Sequence, residues 1–115
     1  MYKVMAFLTR KSGMSREAFR EYYEGNHAPL VEALTPKMAS YSRNYVNLDE
    51  PFKRDESLIA FDVVTEMVFE DRAACEIWFA SFQLPEVAQQ ISVDEGKFLD
   101  CKRILVCSVE HEQSQ

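Results

Sequence analysis

The chain reads as an α+β fold in which a four-stranded antiparallel sheet carries its helices on one face. Three observations predict this. The apolar periodicities run in the order strand, helix, strand, strand, helix, strand; the helix-period segments are well separated; and 115 residues, 47% of them hydrophobic, supply one packed core and not two.

The first strand spans Tyr2 to Thr9, where Val4, Ala6 and Leu8 alternate with Met5 and Phe7, so that both faces are apolar. Arg10 to Gly13 then turn the chain. Ser15 caps a first helix with Glu17 in its opening turn, and Phe19, Tyr22 and Tyr23 recur at helical spacing up to Gly25. Pro29 has no N–H to offer the Gly25 carbonyl, so the helix is expected to break there and restart with Asn26 as its new cap. His27 falls at that junction, and Leu30, Val31 and Leu34 carry the second segment to Pro36.

Strand two is expected over Met38 to Val46, with Tyr41, Arg43 and Tyr45 on one face. Charged residues and Pro51 mark 47–57 as an exposed loop, and strand three follows over Leu58 to Phe69. Asp71 caps a helix whose stripe is Ala74, Cys75, Trp78, Phe79 and Phe82. Pro85 and Glu86 open a further short helix through Ile91, ended by Asp94, Glu95 and Gly96, and the last strand is Lys102 to Val109. Residues 1–110 are thus expected to form one domain and 111–115 a disordered tail. The order makes two βαβ-like halves and a ferredoxin-like sheet. One face of that sheet is left bare, a row of Val, Phe and Met side chains, and pairing with a second copy in a two-fold homodimer is the expected remedy.

A net charge of −6 and a pI near 4.9 argue against nucleic acid, which is bound through clustered Lys and Arg. Here the basic residues are scattered, in pairs at most, as at Lys53-Arg54. No apolar run approaches the ~20 residues that span a bilayer, and the start of the chain is a strand pattern and not a leader, so a cytoplasmic protein is expected. Cys75, Cys101 and Cys107 are an odd set without metal or redox spacing; on one strand, the last two would stand about 20 Å apart. Free, mostly buried thiols are expected, with no metal site.

Any imidazole chemistry falls on His27, because the only other histidine, His111, lies in the polar tail. Tyr23 stands one turn before it and Tyr22 close by, although a structural aromatic stripe accounts for both equally well. Strand three places Asp62 and Glu66 on one face, about 13 Å apart, too far to flank one bond as an acid/base pair. They act singly or hydrogen-bond Arg43, Arg103 or tyrosine hydroxyls. Tyr41 and Arg43 share a face and suit a carboxylate or phenolate, or Arg43 meets a neighbouring acid. Trp78 belongs to the core or to the wall of a binding site. No nucleotide loop, nucleophile elbow or paired metal-ligand spacing occurs, and no cofactor is expected, with haem on His27 as the alternative.

The stretch Phe19 to Val31, FREYYEGNHAPLV, resembles the signature of EthD-type proteins of the dimeric α+β barrel superfamily. Tyr41 to Val46 (YSRNYV), Phe61 to Asp71 (FDVVTEMVFED) and Asp94 to Asp100 (DEGKFLD) resemble that family's later blocks in the same order. The resemblance implies a ferredoxin-like subunit paired through its sheets, with a cavity between sheet and helices. It implies a place in ether degradation or in polyketide or aromatic metabolism, in a superfamily of cyclases, lactone isomerases, cofactor-free monooxygenases and haem-degrading proteins. In related isomerases and cyclases the histidine of the HAPL block works with a tyrosine as acid/base, which points here to His27 with Tyr22, Tyr23 or Tyr41. Tyr23 stands where many relatives carry tryptophan.

Together these readings predict a cofactor-independent acid/base enzyme, of isomerase, cyclase, dehydratase or decarboxylase type, on a small hydrophobic, aromatic or polyketide-like substrate. His27, Tyr23 and Glu66 would be its catalytic groups, and Tyr22, Tyr41, Arg43, Asp62 and Trp78 would bind the substrate. The alternatives are an oxidoreductase or monooxygenase, and a protein that only carries a hydrophobic ligand.

Overall fold

In the computed structural model, which describes residues 1–115, the alternation along Tyr2–Leu8 makes β1. Val4, Ala6 and Leu8 are buried on one face, while Met5 and Phe7 are half-covered on the other. Gly13, at φ +84°, takes the turn that an L side chain would strain. Ser15 accepts the Ala18 N–H at 3.1 Å and caps α1, Arg16–Tyr22.

The expected break at Pro29 does not occur. Tyr23–His27 form one π turn, in which the Ala28 N–H reaches the Tyr23 carbonyl five residues back, and the helix runs on as α2, Ala28–Leu34. The wider turn sets Pro29 in the first turn of α2, where a missing N–H costs little, so no new cap is needed. Asn26 is exposed and caps nothing.

The sheet is β2 (Ser40–Tyr45), β3 (Val63–Phe69), β1 and β4 (Leu105–Val109) in the order β2-β3-β1-β4, each neighbour antiparallel, with α3 (Arg72–Phe82) and α4 (Pro85–Phe98) on the face of α1 and α2. This is the ferredoxin-like α+β arrangement. All four strands are shorter than the pattern suggests; β1 ends at Leu8 and β2 is trimmed to Ser40–Tyr45, while β3 and β4 start late. A 3-10 turn at Glu56–Leu58 delays β3, and another at Cys101–Arg103, capped by Asp100 accepting the Lys102 N–H, delays β4.

Helix α4 is longer than expected, and Asp94, Glu95 and Gly96 lie inside it. Its buried stripe of Val87, Ile91, Asp94 and Phe98 continues at helical spacing, and Gly96 costs only the ~1 kcal/mol of its weak propensity. Only Cys75 of the three free cysteines is buried; Cys101 and Cys107 are exposed, and since Cys101 precedes β4 they do not share a strand.

Helices and sheet bury Phe19, Tyr23, Trp78 and Phe98 against Val63 and Phe69. The opposite sheet face presents Met5, Phe7, Val64, Val68, Leu105 and Cys107 around one ion pair, Lys3 to Glu66 at 3.0 Å. The molecule measures 41 × 39 × 22 Å and exposes 7952 Å², where a rounded monomer of its mass would expose about 6,500 Å². No helix is long and apolar enough to cross a membrane.

Candidate active site

The π turn brings Tyr23 and His27 to the buried side of their helix, and both rings pack on Phe98 of α4. His27 is 5% exposed. Its Nδ1 lies 2.8 Å from Oδ2 of Asp94, and because a carboxylate only accepts, Nδ1 carries the hydrogen and Nε2 keeps its lone pair. The other Asp94 oxygen accepts the Tyr22 hydroxyl at 2.6 Å. Burial pushes the His27 pKa below its ordinary 6.5, against the opposing pull of Asp94, so the ring is neutral at neutral pH.

Beside this ring, between sheet and helices, lies a cavity of about 240 Å³. Trp78, Phe79 and Phe82 of α3 and Ala6, Met67 and Val106 of the sheet make it apolar. His27, Tyr23, Tyr41, Thr65 and Glu95 bring the polar atoms. The Tyr23 hydroxyl lies 2.8 Å from Thr65 Oγ1 and 3.2 Å from the Tyr41 hydroxyl. Burial pushes both phenols up in pKa, so they are donors and not phenolates. Burial likewise pushes Glu95 up, with Asp94 adding to it. A neutral imidazole facing proton-bearing groups in an apolar cavity can take a proton from a bound molecule and steady the oxygen that becomes charged.

The structure does not bring all the sequence-derived candidates to this place. His27, Tyr23, Tyr41 and Trp78 line the cavity together. Tyr22 stands behind His27 on Asp94; burial and that carboxylate raise its pKa to about 12. Arg43 is held by both Glu24 oxygens, at 2.9 and 2.8 Å, and lies over the Tyr41 ring outside the cavity wall.

Glu66 is on the bare sheet face, bound to Lys3 and to Asn44, where the Lys3 ammonium holds its carboxyl below the usual range. Asp62 precedes β3 and turns to the Arg10 N–H at 2.8 Å, with the Arg10 and Arg16 guanidinium groups at 3.4 and 3.8 Å. Neither carboxylate stands by His27. The site instead includes Asp94, Glu95 and Thr65, which the sequence reading did not select. Asp94 carried a signal: it is the one charged residue in the stripe Val87, Ile91, Asp94, Phe98. No group of three or more His, Cys, Asp or Glu side chains is placed to hold a metal ion.

A half-buried cavity between helices and a four-stranded antiparallel sheet defines a small-molecule enzyme or binding protein of the ferredoxin-like class. Within that class the chain belongs to the EthD family, whose domain model matches residues 11–102. No curated protein matches it in sequence.

Among the solved structures it resembles is an EthD family protein of Bacillus halodurans, at a TM-score of 0.64 and 20% identity over 97% of this chain and 100% of that one. A second is a hydroxynitrile lyase of Passiflora edulis, with a TM-score of 0.65 and 13% identity over 99% and 95%. A third is a dimeric protein of ferredoxin-like fold from Bacteroides fragilis, with a TM-score of 0.59 and 7% identity over 96% and 95%. At these identities the likeness is one of fold.

Proposed function

We propose that this protein is a cofactor-independent acid/base enzyme acting on a small, mainly apolar or aromatic substrate, with His27 as its base. One observation carries the reading: Asp94 holds the Nδ1–H of a neutral, buried imidazole whose Nε2 has no partner in the protein, at the wall of an apolar cavity. Nε2 takes a proton from the substrate, and the Asp94 carboxylate stabilises the imidazolium that forms. The Tyr23 hydroxyl, steadied by Thr65 and Tyr41, donates a hydrogen bond to the oxygen on which charge develops. General acid/base assistance of this kind supplies about 10² to 10⁴-fold, and positioning within the cavity supplies the rest.

The working unit is a homodimer. Its support is the bare apolar sheet face, the surplus surface of the single chain, and the likeness to a dimeric ferredoxin-like protein.

The test is proton exchange. In D₂O, the wild-type protein is expected to exchange the α-protons of at least one member of a panel of aryl ketones and aldehydes faster than buffer. His27→Gln, with its circular dichroism unchanged, is expected to lose roughly 10²-fold or more of that rate. No exchange above buffer anywhere in the panel, or equal exchange by both proteins, overturns the reading.

A further inference from the structure

Asp94 meets two donors, and the proposed mechanism uses only one of them. Its Oδ2 holds the Nδ1–H of His27 at 2.8 Å, and its Oδ1 accepts the hydroxyl of Tyr22 at 2.6 Å. The second bond is the shorter, within the range of about 2.5 to 2.7 Å for a hydroxyl on a carboxylate, and bonds to a charged group are about twice as strong as neutral ones. Tyr22 does not border the cavity, and its hydroxyl has no partner but Asp94. Its ring is held in place: it packs on Phe98 at 5.2 Å between centroids, the same ring that carries His27 at 4.8 Å, so α1, the π turn and α4 meet on one residue.

A carboxylate has one charge to share. A hydroxyl that donates to one of its oxygens stabilises the ionised form and leaves the other oxygen a weaker acceptor. The Nδ1–H of His27 therefore meets a carboxylate already partly satisfied, which holds an imidazolium less firmly than an Asp94 without Tyr22 would. The other titratable and charged groups about the ring are Tyr23 on its own turn, Tyr41 on β2, Glu95 beside Asp94, and Lys97, which shares with Asp94 the groove between α2 and α4. None of these bonds Asp94, so the Tyr22 hydroxyl is the one side chain that competes with His27 for it.

We propose that Tyr22 is a positioning residue of this site, which acts on His27 only through Asp94: by taking up part of the carboxylate's charge it restrains the pull of Asp94 on the ring and keeps the imidazole free to accept a proton. This deepens the acid/base reading and rests on it only in taking His27 as the base. The coupling itself is a property of the protein without substrate.

Tyr22→Phe tests it, since it keeps the ring on Phe98 and removes the hydroxyl alone. The protein has two histidines, so in the ¹⁵N-labelled chain the His27 imidazole is the set of signals that His27→Gln removes. In Tyr22→Phe, with its circular dichroism unchanged, the Nδ1–H signal of His27 is expected to move downfield at neutral pH. The ring is expected to bind a proton roughly threefold or more tightly, a fraction of the worth of a hydrogen bond to a charged group. The acid limb of the exchange rate is then expected to move to higher pH. In an Asp94→Asn background the same substitution is expected to change nothing, because the carboxylate that links the two rings is gone.

An Nδ1–H signal and a titration that both stay in place overturn the proposal. So does a move in the opposite direction, or an equal effect in the Asp94→Asn background, which would mean that Tyr22 reaches His27 by packing. If neither protein protonates before acid unfolds it, the Nδ1–H signal at neutral pH decides. Should Tyr22→Phe fail to fold, the wild type serves: the ¹³Cζ signal of Tyr22 is expected to follow the protonation of His27 with the same midpoint, and a signal that does not respond overturns the proposal. Exchange that depends on His27, with the ring unmoved in Tyr22→Phe, sinks this inference alone; a ring that moves as expected in a protein without exchange sinks only the acid/base reading.

Discussion

Asp94 decides what His27 can do. Alone in an apolar pocket, an imidazole has two tautomers and no fixed direction; with Nδ1–H on the carboxylate, Nε2 is the basic atom. The two influences on His27 are opposed, burial lowering its pKa and Asp94 raising it, so a change at Asp94 has a signed consequence. Asp94→Asn keeps the volume and removes the charge. It is expected to lower kcat roughly 10²-fold or more, and to move the acid limb of the kcat/KM profile to lower pH, because only the lowering influence of burial remains. A profile with an unmoved or higher limb, at any rate loss, would show that Asp94 does not govern the ring. At this scale the sequence was half legible. His27 stood out as the one histidine outside the tail, and Tyr23 as its neighbour on the helix. Asp94 is 67 residues away from His27, and an Asp-Glu-Gly run reads as the end of a helix unless the apolar stripe is followed through it to Phe98.

At the scale of elements, the π turn is what aims the site. Tyr23 and His27 are both buried while Glu24, Gly25 and Asn26 between them are exposed, and a five-residue turn achieves that with Pro29 following. Deleting the exposed Asn26 closes the turn to the ordinary helical period and rotates His27, with α2 behind it, by about 100° relative to α1, so that with α1 docked the ring leaves the buried face it shares with Tyr23. The variant is expected to keep its helical circular dichroism, to lose exchange activity, and to show a His27 resonance titrating near 6.5, as an exposed imidazole does. If it retains both the depressed titration and the activity, the turn is not what aims the ring. The sequence reading saw that Pro29 forbids a regular helix but expected a break, since a cap and a widened turn answer the same missing N–H. Strand three was misjudged for a related reason. Period-two alternation runs back through Asp62 without a mark, yet two guanidinium groups and the Arg10 N–H draw that carboxylate to the end of the sheet. Its apparent partnership with Glu66 was a matter of parity alone.

The whole molecule carries more surface than its mass warrants, and its flat shape puts the excess on the two broad faces. One face is helices; the other is a strip of sheet whose middle is Phe7, with Val64 of β3 and Leu105 of β4 directly beside it in register. Leu105 is 65% exposed, and Phe61 closes on Phe7 edge to face at 5.3 Å. Polar groups are not absent from this strip, but Lys3 and Glu66 neutralise each other, so covering it need not strand a charge. A second copy turned about a two-fold axis would bury Phe7 against the same strip of its partner, the self-matching that such axes require. Phe7→Glu would then place two like charges close together in an apolar contact. Sedimentation equilibrium at tens of micromolar is expected to give a dimer for the wild type and a 13.4 kDa monomer for the variant, with a lower melting temperature. The His27 cavity lies on the other side of the sheet, so stability should fall first, and whatever fraction stays folded should keep its His27-dependent exchange activity. A monomeric wild type, or a variant that still dimerises, would mean that this face is not the interface and that its apolar strip needs another partner.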